Sequence, residues 1–156
     1  MMKLKNPLLA VSDLEKSKAF YKDVLGLRVI MDYGANVTLT GGLSLQTKES
    51  WLTFIQQDET ALVFGGNASE IYFEEDDFDG FVQKLDQLPG IQYVHPVFEH
   101  RWGQRVVRFY DPDHHIIEVG ENLHAVFRRF LDSGMAVAEV AQRMEVPERL
   151  VRSAMK

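Results

Sequence analysis

The chain has 156 residues, 46% hydrophobic and 26% charged, and no cysteine. That composition suits one soluble globular domain with a small appendage and excludes thiolate metal sites, thiol nucleophiles and disulfides. The net charge of −6 is uneven: residues 1–121 carry 11 Lys and Arg against 19 Asp and Glu, net −8, and residues 122–156 carry 6 against 4, net +2. An acidic body does not suit a phosphate backbone, so nucleic acid is not the expected partner. The start lacks the apolar core of a signal peptide and no apolar run approaches the roughly 18 residues of a membrane span, so a cytoplasmic location without membrane contact is expected.

A strand is predicted over Leu4 to Val11, with Pro7 confined to its beginning or to a sheet edge. Val11-Ser-Asp-Leu14 then opens a helix, Ser12 and Glu15 being spaced as a capping box, and Gly26 stops it. Three short strands follow, Arg28 to Tyr33, Asn36 to Leu39 and Leu43 to Thr47. Residues 48–68, with Trp51, Phe54, Leu62 and Phe64, connect to a strand over Ser69 to Glu74. Glu75-Asp-Asp-Phe78 opens a second helix, whose Phe78, Phe81, Val82 and Leu85 form one apolar face, and Gly90 stops it. Strands over Ile91 to Phe98, Gln104 to Tyr110 and His115 to Val119 complete the series.

Helix starts and stops repeat at an offset of 64 residues, so both halves read βαβββ. The expected class is α+β: two βαβββ modules, about 1–50 and 68–121, with a C-terminal helical appendage over 122–156. In that appendage Leu123, Val126, Phe127, Phe130 and Leu131 make one apolar stripe. Val137, Val140, Ala141 and Met144 make a second, and Pro147 starts a third helix. The run Ala138 to Val151 is similar to a helix-turn-helix. Its second helix offers only Arg149, Arg152 and Lys156 beside Glu148, so packing is the expected role and a ligand-responsive DNA-binding regulator the lesser alternative.

The last hairpin, Arg105-Val-Val-Arg-Phe-Tyr-Asp-Pro-Asp-His-His-Ile-Ile-Glu-Val119, places one carboxylate, Glu118, among apolar neighbours. This segment, together with Leu9-Ala-Val-Ser-Asp-Leu-Glu-Lys-Ser-Lys-Ala-Phe-Tyr-Lys-Asp-Val-Leu-Gly-Leu27, resembles the glyoxalase, bleomycin-resistance and extradiol-dioxygenase group, the vicinal oxygen chelate superfamily, over residues 4–121. The resemblance implies that the two modules form an open cup-shaped mixed sheet, often in a homodimer, whose cup holds a divalent metal through residues of the first and last strand of each module. Carried over by position, the metal ligands are Asn6, Gln46, Glu70 and Glu118, with Ser44 as the alternative to Gln46 on the same face. Members with a clear metal usually have His at first-strand positions, where this chain has Asn and Glu.

Two amides and two carboxylates form an all-oxygen set that favours Mg, Mn or Ca over Zn or Ni, and the cup could equally hold no metal. Glu118 and Glu70 are candidate catalytic residues, as ligands or bases; the bland alternative is a pair of solvated strand-end carboxylates paired with Arg105 or Arg108. His100, Trp102, Gln104 and Arg105 are candidate substrate-binding residues because the long second hairpin rims the implied cup, and Tyr72 is one because it shares the strand face of Glu70. Hairpin packing is the competing reading for Trp102, His95 and His100, and His114 and His115 belong to the turn. The resemblance implies a lyase or isomerase of the glyoxalase type in which the metal polarises oxygens of a small molecule. The alternative is a non-catalytic, drug-sequestering protein of the bleomycin-resistance kind.

Overall fold

The computed structural model describes residues 1–156 as α+β, in chain order β1 Leu8–Val11, α1 Leu14–Leu25, β2 Val29–Asp32, β3 Asn36–Leu39, β4 Ser44–Thr47, α2 Lys48–Phe54, β5 Glu70–Glu75, α3 Phe78–Gln87, β6 Gln92–Glu99, β7 Arg105–Tyr110, β8 Ile116–Glu121, α4 Leu123–Asp132, α5 Val137–Met144 and α6 Glu148–Ser153. A 3₁₀ turn, Glu59–Ala61, follows α2. The strands form two four-stranded sheets of the same topology, β1-β4-β3-β2 and β5-β8-β7-β6. In each, the first strand runs parallel to the last and the remaining pairs are antiparallel. The chain divides into a first unit, residues 1–68 with 111–115, and a second, residues 69–110 with 116–156. No helix is long and apolar enough to cross a membrane.

In the first unit β1 begins four residues later than the sequence pattern suggests. Pro7 lacks an N–H and stands just outside the strand, where its carbonyl still accepts from the Ser44 N–H at 3.0 Å. The cap of α1 also differs from the expected capping box. Asp13, not Ser12, caps the helix by accepting from the Lys16 N–H at 3.0 Å. Ser12 faces the Asp-Pro-Asp turn, where its N–H donates to Asp113 Oδ2 at 3.0 Å and its hydroxyl donates to Asp113 Oδ1. A turn more than a hundred residues away captures the side chain that local spacing assigned to the helix.

The same turn is anchored a second time. The buried Tyr21 hydroxyl donates to Asp111 Oδ2 at 2.8 Å, and Asp111 Oδ1 accepts from the N–H groups of Asp113 at 3.0 Å and His115 at 2.8 Å. His115 Nδ1 lies 2.8 Å from Asp111 Oδ2, and its ring meets Phe64 edge-on. His114 and His115 therefore sit where the turn needs them. Gly26 ends α1 in the left-handed region at φ +71, its N–H donating to Lys22 O at 2.9 Å.

In the second unit strand alternation separates two faces. Val107, Phe109, Ile117 and Val119 are buried on one face. On that side Phe81 of α3 meets Phe109 with ring centroids 6.3 Å apart. Asp77 caps α3 by accepting from the Gly80 N–H at 3.0 Å, 64 residues after the Asp13 cap. That helix closes at Leu88, and Gly90 follows in a turn at φ +77 rather than capping it directly. The tail folds as three helices around Val126, Phe127, Phe130, Val140, Met144 and Val151.

Candidate ligand-binding face

The other face of the second sheet carries Glu70 and Tyr72 on β5, Glu118 on β8 and Arg108 on β7. Tyr72 and Arg108 lie directly across from Glu118 on its two sides. The Asp111–His115 turn sets this register: Tyr110 pairs with Ile116, so two residues back along each strand Arg108 meets Glu118. Arg108 sends its donors three ways. Nε donates to Glu70 Oε2 at 2.9 Å, Nη2 pairs with Glu118 Oε2, and Nη1 donates to His95 Nε2 at 3.2 Å. With Nε2 accepting, the His95 proton belongs on Nδ1, which lies 2.8 Å from Pro96 O.

The Glu118 side chain is only 7% exposed, against 40% for Glu70. Burial raises the Glu118 carboxyl above the usual carboxylate range, the Arg108 charge opposes this, and the neighbouring Glu70 reinforces it. Two carboxylates against one guanidinium leave one net negative charge, so the guanidinium balances only part of the local field.

Beside this cluster, Gln104 is buried and its Nε2 donates to the Tyr72 hydroxyl and to Glu121 O, both at 2.9 Å. Trp102 Nε1 donates to Gln104 Oε1 at 3.3 Å, and Tyr72 donates on to Glu74 Oε1 at 3.2 Å. Gly120 makes this crossing possible, because a Cβ there would lie 2.8 Å from Gln104 Nε2 and 3.3 Å from Tyr72 Cε2. Burial pushes the Tyr72 hydroxyl up to about 12, so it stays protonated at neutral pH. His95, Phe98, His100 and Trp102 form a run of ring contacts, ending in His100 stacked on Trp102 at 4.0 Å and 11°. Burial, then the Arg108 charge, holds His100 below the ordinary histidine value.

Of the residues singled out by sequence, Glu70, Tyr72, His100, Trp102, Gln104 and Glu118 thus belong to one connected set. Arg105 does not. It lies on the opposite face, bonded to Glu121 at 2.7 Å and Asp79 at 2.8 Å and set over the Phe78 ring at 5.2 Å. His95 is the member whose part in the set the sequence reading missed, and Arg108, which it named only as an ion-pair partner in the bland alternative, stands at the centre of the set. Counting back from the Asp-Pro-Asp turn along both strands places Arg108 opposite Glu118, a usable signal once the hairpin is recognised.

In the first unit Asn6 precedes β1, and its Nδ2 donates to Ser44 Oγ at 2.6 Å. Gln46 Oε1 accepts from Asn36 Nδ2 at 2.7 Å, and its Nε2 donates to Ser50 Oγ at 2.5 Å. Leu8 pairs with Ser44, as Tyr72 pairs with Glu118. With the helix caps aligned at 64, Leu8 corresponds to Tyr72, so the repeat partner of Glu118 is Ser44, the slipped alternative, rather than Gln46.

These arrangements do not fit a preformed divalent-metal site. Both carboxylates are already bonded to one guanidinium, the Gln46 carbonyl is taken, and Asn6 points its donor end at Ser44. No group of three or more His, Asp and Glu side chains is arranged to hold a metal ion.

The model of the glyoxalase-like domain matches residues 4–124. The chain belongs to the glyoxalase-like domain family. A solved structure of a protein of unknown function from Agrobacterium tumefaciens is 38% identical, with a TM-score of 0.71 over 78% of this chain and 95% of that one. A glyoxalase-related enzyme from Fulvimarina pelagi is 17% identical, with a TM-score of 0.67 over 79% and 90%, a likeness of fold. The uncharacterised protein YraH of Bacillus subtilis is 29% identical over 127 residues, 76% of this chain and 97% of its own length. The glyoxalase-like match ends two residues into α4, leaving nearly all of the helical tail outside it.

Proposed function

We propose that this glyoxalase-like domain binds a small organic molecule on the face of its second sheet without needing a divalent metal, Arg108 supplying the positive charge there. The observation that carries this is the single guanidinium bonded to both Glu70 and Glu118. Removing a buried carboxylate from water needs a compensating cation, and here the chain provides one. The remaining negative charge and the rings of Phe98 and Tyr72, 41% and 45% exposed, favour a cationic aromatic ligand. Tyr72 and Gln104 would orient its polar groups. This is the sequestering alternative of the sequence analysis rather than the metal-dependent lyase or isomerase.

Titration calorimetry tests it. The wild-type protein saturates with a cationic aromatic dye such as thioflavin T and gives no heat with Mn²⁺ or Mg²⁺, whereas Arg108→Gln, with its carboxylates released, binds Mn²⁺. Stoichiometric Mn²⁺ binding by the wild type, abolished in Glu118→Gln, would overturn the proposal in favour of the metal-dependent enzyme. The expected homodimer also finds support: β2 is a sheet edge and exposes Val29, Ile30 and Met31.

A further inference from the structure

We propose that Phe130 and Arg129 of the C-terminal tail are positioning residues for the ligand face, holding the β6–β7 turn, and with it Trp102 and His100, in place beside Arg108. Gly103 is the contact point. Its φ is +93, and a Cβ there would run into the Phe130 ring, so α4 rests directly on the turn backbone. Arg129 Nη2 donates to Gly103 O at 2.6 Å and to Glu121 Oε2 at 3.1 Å, tying the turn to the end of β8. Arg143 of α5 covers the Phe130 ring at 4.2 Å and reaches Glu99, at the end of β6, at 3.9 Å.

Trp102 joins the two halves of this arrangement. It packs against the tail's apolar cluster, while its ring stacks on His100 and its N–H donates to Gln104. Gln104 in turn donates to Tyr72. Displacing Phe130 therefore frees one side of Trp102 and, through it, the His100 and Gln104 side of the face. A hairpin turn of this kind is ordinarily among the more mobile parts of a domain. Here a segment outside the family match buttresses it. What the face does rests on the binding reading above; how the turn is held does not.

The test uses the full chain with Trp51→Phe, which leaves Trp102 as the single tryptophan. Phe130→Leu retains apolar volume and should keep the helical signal in far-ultraviolet circular dichroism. The expected result is a red shift of Trp102 emission and a rise of the His100 pKa, followed by NMR, toward its ordinary value. Arg129→Met should move both in the same direction by less, and it decides the matter if Phe130→Leu unfolds. Unchanged Trp102 emission and His100 titration would overturn the proposal. Thioflavin T binding should weaken several-fold in Phe130→Leu; absence of binding to the wild type would defeat the binding reading, while Trp102 and His100 still report on the buttress.

Discussion

Replacing Arg108 by Gln removes the counter-charge of a carboxylate that is 7% exposed and leaves a neutral amide of lesser reach. Breaking a buried ion pair by deleting one partner costs ~3–5 kcal/mol. Glu70, 40% exposed, regains water and adds little. Glu118 therefore accounts for most of the loss, which we place at ~3 kcal/mol at pH 8, a fall of roughly 1.5 M in the urea midpoint of a protein this size. The sign with pH follows from the carboxyl. Its folded pKa already lies above the ordinary value because of burial, and Arg108 is the influence that lowers it, so the substitution raises it further. A raised folded pKa makes the cost full at pH above that value and removes it as pH falls below the unfolded value. Urea unfolding of wild type and Arg108→Gln at pH 8 and pH 4.5 should therefore show a wide gap at pH 8 that narrows in acid. The double variant Arg108→Gln, Glu118→Gln should recover most of the loss. A gap independent of pH, or no recovery in the double variant, refutes the reasoning.

The turn anchor makes its own prediction: Tyr21→Phe deletes a buried bond to a charged acceptor and should lower stability by about 1.5–3 kcal/mol in chemical denaturation, with the fold retained. Gly26→Ala places a Cβ in the left-handed region with nothing nearby to relieve it, and a loss of about 1 kcal/mol is expected in the same assay. Ile30→Asp, on the exposed edge strand β2, should shift sedimentation velocity toward the monomer without lowering the melting temperature of the monomer itself. An unchanged sedimentation coefficient would remove β2 from the interface.

Much of the architecture was legible in the chain. The 64-residue recurrence of helix starts, the alternation of the strands and the helical spacing after Asn122 all depend on neighbours within a few positions, and they recovered the α+β class and the two like modules. The boundaries that moved did so because distant groups competed for local ones. Ser12 is drawn to Asp113 and leaves Asp13 to cap α1, and Pro7 keeps β1 short. The candidate site was legible as residues but not as bonds. Glu118 stood out as a carboxylate among apolar neighbours, and Tyr72, Trp102 and Gln104 join its surroundings. Arg105 and Arg108 could not be told apart by composition, since both lie on one strand near acidic partners.

Strand pairing separates them. An offset of three positions puts Arg105 on the α3 face, spent on Asp79 and Glu121, and Arg108 on the other, between Glu70 and Glu118. Helix docking, which no local window records, presses Phe130 onto Gly103 and makes the tail part of the second unit. Element type follows from residues adjacent along the chain. Which charges meet follows from cross-strand register and helix docking, which bring together positions tens of residues apart.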